Sequence, residues 1–150
     1  PIRIDEIWHE PPVTEEQNVP DNIAGMCVLL VEDNEINCEI IQYILKDAGA
    51  KVMTAHNGKA AVDAFTASAP GTFDCILMDL MMPIMSGYEA ARVIRSLNRT
   101  DAESVPIIAL SANAFEEDVA LAKDAGMNEH LAKPVDIPRM LRVMKRLCAQ

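Results

Sequence analysis

From Cys27 onward the chain alternates between short, mostly apolar runs and longer segments with helical spacing. The short runs are "CVLLV", "KVMTA", "FDCILM", "VPIIAL" and "EHLA". Between and after them come "NEINCEIIQYILKDAG", "GKAAVDAFTASA", "GYEAARVIRSLN", "AFEEDVALAKDAG" and the closing "DIPRMLRVMKRLC". Runs that are apolar throughout lack the in–out alternation of a half-solvated strand and suit strands buried on both faces. Five strands alternating with five helices therefore predict an α/β fold, a parallel sheet with helices on both faces. Local signals agree. Ile36, Ile40, Ile44 and Leu45 recur near a 3.6 period, with Gly49 suited to stop that helix. Asn57 can cap the second helix. Ala90, Val93, Ile94 and Leu97 form a stripe on the third. Glu116, Glu117 and Asp118 open the fourth, where acids meet the positive end of the helix dipole. Pro138 fits the first turn of the fifth.

The amino-terminal stretch is different in kind. "PIRIDEIWHEPPVTEEQNVPDN" holds six acids against Arg3 alone, and four of the nine prolines. We read residues 1–25 as an acidic tail or interdomain linker and 26–150 as the folded domain. "IRIDEIW" could still form a short strand in which Trp8 packs. A start at Pro1 rather than Met suggests a piece of something longer. The net charge of −10 argues against a nucleic-acid binder, which needs a basic footprint. No apolar run approaches a membrane span. Cys27, Cys38, Cys75 and Cys148 form no CxxC pair and read as small buried thiols of a cytoplasmic protein. His9, His56 and His130 lack zinc-ligand spacing.

In open parallel sheets ligands bind outside the carboxyl ends of the strands, so the residues at those ends carry the functional signal. Strand one ends in Glu32 and Asp33, strand three in Asp79, strand four in Ser111 and strand five in Lys133. Strand two ends in Ala55 and His56, which carry no such signal. Asp79 follows four largely apolar residues in "CILMDLMMP", where an unpaired ion is costly. Three clustered carboxylates need a cation, and oxygen ligands alone select a hard one such as Mg²⁺. A carboxylate beside Mg²⁺ can attack phosphorus. Lys133 would supply positive charge and Ser111 a hydroxyl donor for the transferred group. Taken singly these residues are bland: Asp33 or Asn34 could be a helix cap, Lys133 a solvated lysine, Ser111 a turn residue. Their joint placement at strand ends is what carries the argument.

At that point "LLVEDNEIN", "CILMDLMMPIMSG", "PIIALSA" and "HLAKP" resemble, in order and spacing, the motifs of the two-component response-regulator receiver domain. The resemblance covers roughly Met26 to Cys148, and the first motif is most like receivers of hybrid sensor histidine kinases. It implies a flavodoxin-like (βα)₅ fold with strand order 2-1-3-4-5. It implies that Asp79 accepts a phosphoryl group from a histidine of a kinase or a phosphotransfer protein. Asp33, Asp79 and the Met81 backbone carbonyl would bind Mg²⁺ (Mn²⁺ being the alternative), with Glu32 acting through water. Ser111 would swing towards the phosphoryl group, Lys133 would pair with it, and the Lys133–Pro134 bond would be cis. Small Ala112 would leave the site open, and the side chains of Met81 and Asn113 point to slow self-dephosphorylation. The first helix, at Ile36, together with Pro134 would form the partner surface, core packing claiming one of Ile36 and Ile40. His130 departs from the pattern, standing where many receivers carry Tyr or Phe as part of the switch.

Other readings remain open. A stand-alone response regulator or a non-phosphorylated adaptor would use the same fold. A flavin carrier would want a glycine-rich phosphate loop in place of acidic "EDNEIN". A hydrolase of the aspartyl-phosphate type would want an aspartate at position 81, which is Met81. Met78, Met81, Met82 and Met85 suggest adaptable packing more than a copper site, and adjacent Met81 and Met82 could not face one way in a strand.

Overall fold

The computed structural model describes residues 23–112 and 116–148. "IRIDEIW", Trp8 and Asn113 lie outside the described residues. The elements are β1 (Cys27–Val31), α1 (Glu35–Asp47), β2 (Lys51–Ala55), α2 (Gly58–Ala67) and β3 (Cys75–Asp79). They continue with α3 (Gly87–Ser96), β4 (Ile107–Ser111), α4 (Glu116–Asp124), β5 (Glu129–Ala132) and α5 (Ile137–Cys148). All strand pairs are parallel and the sheet order is β2-β1-β3-β4-β5. This is the flavodoxin-like order, with the site-bearing strands β1, β3 and β4 side by side at the centre.

Side chains alternate across the sheet into two cores. Leu29, Val31, Ile76, Met78, Ile107 and Ala109 pack with α2, α3 and the end of α4. Val28, Leu30, Leu77, Ile108 and Leu110 pack with α1 and α5. Full burial of each such aliphatic side chain contributes about 1.5–3 kcal/mol. The interior strands β3 and β4 are buried at every residue, as continuous apolar runs require. The edge strand β2 is not: Lys51 and Met53 are exposed.

The first helix corrects the periodicity reading. Its buried face is Cys38, Ile41 and Leu45, whereas Ile36 and Ile40 are both solvent-exposed. Core packing claims neither. The cap is Asn34 and not Asp33: its side chain accepts from the Asn37 N–H at 3.0 Å. At the other end Gly49 has φ +100°, and a Cβ there would stand 2.8 Å from Ala24 Cα, so glycine is required. Asn57 caps α2 through the Ala60 N–H at 2.8 Å, as expected. Ile23, within the stretch read as tail, is 2% exposed and packs under α1 and β1. The cysteine reading also needs revision. Cys38 and Cys75 are buried, but Cys27 and Cys148 are only half-buried.

Candidate functional site

The polar strand ends do converge. Glu32 continues β1 by donating its backbone N–H to Ala55 O at 3.0 Å, which turns its side chain inward at 0% exposure. Asp79 closes β3 at 4% exposure, and the Met81 N–H donates to its Oδ1 at 3.3 Å. Asp33 stands exposed beside them, and one carboxylate oxygen from each of the three lies within 4.8 Å of the others. Lys133 reaches back from β5 and donates to Glu32 Oε2 at 2.8 Å and Asp79 Oδ2 at 3.1 Å. The Lys133–Pro134 bond is cis. Ser111 ends β4 nearly buried, and its carbonyl accepts the Lys133 N–H at 2.7 Å.

The backbone around Asp79 is held closely. Leu80 donates to Leu110 O at 3.0 Å, and Gly87 donates to Leu80 O at 3.1 Å. A Cβ on Gly87 would lie 2.3 Å from Asp79 O, so the "SG" that opens α3 is a close-approach requirement of the acceptor strand. Ile84 in the same loop has φ +71°, an uncommon and strained conformation for a β-branched residue. Met81 and Met82 belong to this loop and not to a strand, so the strand argument about which way they face does not apply. Met81 is exposed, while Met82 and Met85 pack against the α2–α3 core.

The electrostatics are unbalanced. Glu32 and Asp79 share one ammonium, and a third carboxylate, that of Asp33, stands close by. Burial, then the charge of Glu32, push the Asp79 carboxyl up to about 6, and Lys133 opposes them only in part. Burial pulls Lys133 down, but its bonds to Glu32 and Asp79 outweigh that and leave it raised. Such a group of oxygen donors with excess negative charge fits a hard divalent cation.

Two residues of this region were not singled out from sequence. His56 carries no signal in the sequence, yet its Nδ1 lies 3.2 Å from Glu32 O, tying the end of β2 to the site. Tyr43 is 72% exposed on the same side of α1 as Ile36 and Ile40. Beside them a groove of about 280 Å³ runs between α1 and the segment after β5, lined by Ile40, Ile41, Ile44, Pro134, Val135 and Ile137. Lys133 also borders it, so the apolar surface begins where the acidic site ends. His130 shares a sheet face with Ala109 and Ser111, and its buried Nε2 has no hydrogen-bond partner among the described residues.

A family model of the response regulator receiver domain matches residues 28–145. The chain belongs to that family. The receiver is 40% identical, over 118 residues and 78% of its length, to the peroxide stress-activated histidine kinase mak1 of Schizosaccharomyces pombe. It spans only 7% of that kinase, and 14% of a probable histidine kinase of rice to which it is 38% identical. Its fold matches the crystallised receiver domain of a sensor histidine kinase from Pseudomonas aeruginosa at a TM-score of 0.76 and 38% identity. That match covers 85% of this receiver and 100% of the other, which holds a magnesium ion in its active-site cleft. A yeast receiver, from Saccharomyces cerevisiae, was co-crystallised with its histidine phosphotransfer protein; it matches at a TM-score of 0.72 and 30% identity, over 83% of this chain and 89% of that one. Among the described residues no helix is long and apolar enough to cross a membrane.

Proposed function

We propose that this receiver accepts a phosphoryl group on Asp79 from a phosphohistidine, and that the modification changes which partners it binds. The observation that carries the reading is Lys133 bridging Glu32 and Asp79 in a cluster of three carboxylates with a single ammonium. An Asp79 Oδ atom attacks phosphorus; the O–P bond forms as the P–N bond breaks, and the imidazole nitrogen leaves with the electron pair. The buried Asp79 carboxylate has few waters to shed before attack. Lys133 need only turn from Asp79 towards the new phosphoryl oxygens, and the Ser111 hydroxyl approaches to donate to another. Mg²⁺ held by Asp33, Asp79 and the Met81 carbonyl, with Glu32 through water, would neutralise charge on the phosphoryl oxygens; Mn²⁺ suits the same donors.

The donor would be a histidine kinase phosphodonor domain or a histidine phosphotransfer protein, docking on Ile36, Ile40 and Tyr43 and on the groove at Pro134. Exposed apolar residues beside a polar site fit a helical partner that must bring its histidine to Asp79. His130 would move with Ser111 as the switch, since both lie on one sheet face. We place the domain in the cytoplasm, as a receiver of a hybrid sensor histidine kinase. Chasing label from a phosphorylated histidine phosphotransfer protein tests this: hydroxylamine-sensitive label should appear on wild type and not on Asp79→Asn. Ile36→Asp should slow that transfer at least tenfold while leaving uptake from acetyl phosphate unchanged. Equal slowing from both donors would remove α1 as the docking surface.

A further inference from the structure

The end of the sheet opposite the acidic cluster holds a pair of thiols that phosphoryl transfer does not use. Cys75 opens β3, the strand that Asp79 closes, and is fully buried facing α1 and α5. Cys148 is the last residue of α5, half-buried in the same core. Its Sγ donates to the carbonyl of Asp74, the residue preceding Cys75, at 3.1 Å. Both side chains therefore sit in one core at the start of β3. They are far apart in sequence, so this meeting is a product of the fold alone.

We propose that Cys148 and Cys75 form an oxidant-responsive pair, in which a peroxide converts the two thiols into a disulfide that staples the end of α5 to the start of β3. The two sulfurs play different parts. Cys148 is only half-buried, and the neighbouring Cys75 thiol draws its own thiol below the ordinary value against burial and the charge of Asp74. Cys75 lies out of solvent, with its thiol held well above the ordinary value by the neighbouring Cys148 thiol and by burial. Cys148 thiolate attacks one oxygen of hydrogen peroxide and the O–O bond breaks, giving a sulfenic acid and a hydroxide that takes up the proton the thiol released and leaves as one water. The Cys75 sulfur then attacks the Cys148 sulfur, the S–O bond breaks, and the departing hydroxide takes the Cys75 proton as the second water. Two thiols are oxidised and one peroxide is reduced. The sulfurs must close to about 2 Å, a movement that the terminal turn of α5 can supply. Cys27 and Cys38 lack a thiol partner among the described residues and carry thiols raised chiefly by burial.

The test is alkylation and non-reducing peptide mapping of the reduced full chain after hydrogen peroxide. We expect loss of two of the four alkylatable thiols and a peptide joining Cys75 to Cys148, reversed by a thiol reductant. Asp79 phosphorylation should be indifferent to Cys148→Ser, which separates this inference from the receiver chemistry. In Cys75→Ser, dimedone should trap a sulfenic acid at Cys148. If that variant does not fold, the map of the unmutated chain decides alone. All four thiols remaining alkylatable, or a link joining two chains through Cys148, would overturn the proposal.

Discussion

At the amino ends of the strands polar side chains close backbone positions; at the carboxyl ends they crowd one another. Asp74, before β3, accepts the Cys27 N–H at 2.8 Å. Asn128, before β5, accepts the Ile107 N–H at 2.8 Å with the same oxygen that takes Arg95 at 2.8 Å. Arg95 further donates to Gly126 O at 2.9 Å and Ala102 O at 3.1 Å. Each of these groups is matched to a backbone position that would otherwise be orphaned. Opposite them, Glu32 and Asp79 share Lys133 with Asp33 close by, and Asp79 is held partly against its own ionisation. Cooperative folding does not require that arrangement. A carboxylate buried beside another carboxylate is retained where its chemistry is needed.

The contrast is broken most severely at the amino end. Arg95→Ala should lower stability by about 2–4 kcal/mol, because it leaves two carbonyls and Asn128 short of a donor. Urea unfolding monitored by circular dichroism reads this directly. At the carboxyl end the sign should reverse. Without divalent cations Asp79→Asn should raise stability at neutral pH by about 1–3 kcal/mol, since it removes a charge and leaves Lys133 with Glu32. Mg²⁺ should shrink or invert that gain, because wild type would bind the ion and Asp79→Asn would bind it less well.

The pH dependence sharpens the same comparison. The folded-state value of Asp79 is about 6, above the ordinary 3.8, so the folded chain holds this proton over that interval while the unfolded chain has lost it. Stability from this group is therefore greatest below about pH 4 and is lost as pH rises through 6. In metal-free buffer the advantage of Asp79→Asn over wild type should be clear at pH 7.5 and mostly gone at pH 4.5. A constant difference would mean that another group titrates. Smallest of all, Ile36→Asp should change stability by no more than about 0.5 kcal/mol, the side chain being 69% exposed. A larger loss would mean that the α1 surface belongs to the core after all.

Much of this was legible beforehand because a parallel sheet converts sequence position into spatial position. Once "CVLLV", "CILM" and "IIAL" are strands buried on both faces, Glu32, Asp79 and Ser111 must share an edge, and Lys133 joins them through β5. Periodicity was less informative in α1. Ile36 and Ile40 recur at helical spacing, but spacing cannot say whether a partner or the core covers a face, and here the core takes Cys38, Ile41 and Leu45. His56 escaped notice because its link is to a backbone carbonyl, which leaves no mark in residue type. The meeting of Cys148 with Cys75 depends on how α5 lies across the sheet, and no local pattern encodes that.

The most direct test is the intact mass of the protein after incubation with acetyl phosphate, with and without Mg²⁺, beside Asp79→Asn. Wild type should gain one phosphoryl group in a reaction that requires Mg²⁺, and Asp79→Asn should gain none. No gain in folded protein that binds Mg²⁺, or an undiminished gain in Asp79→Asn, would contradict it.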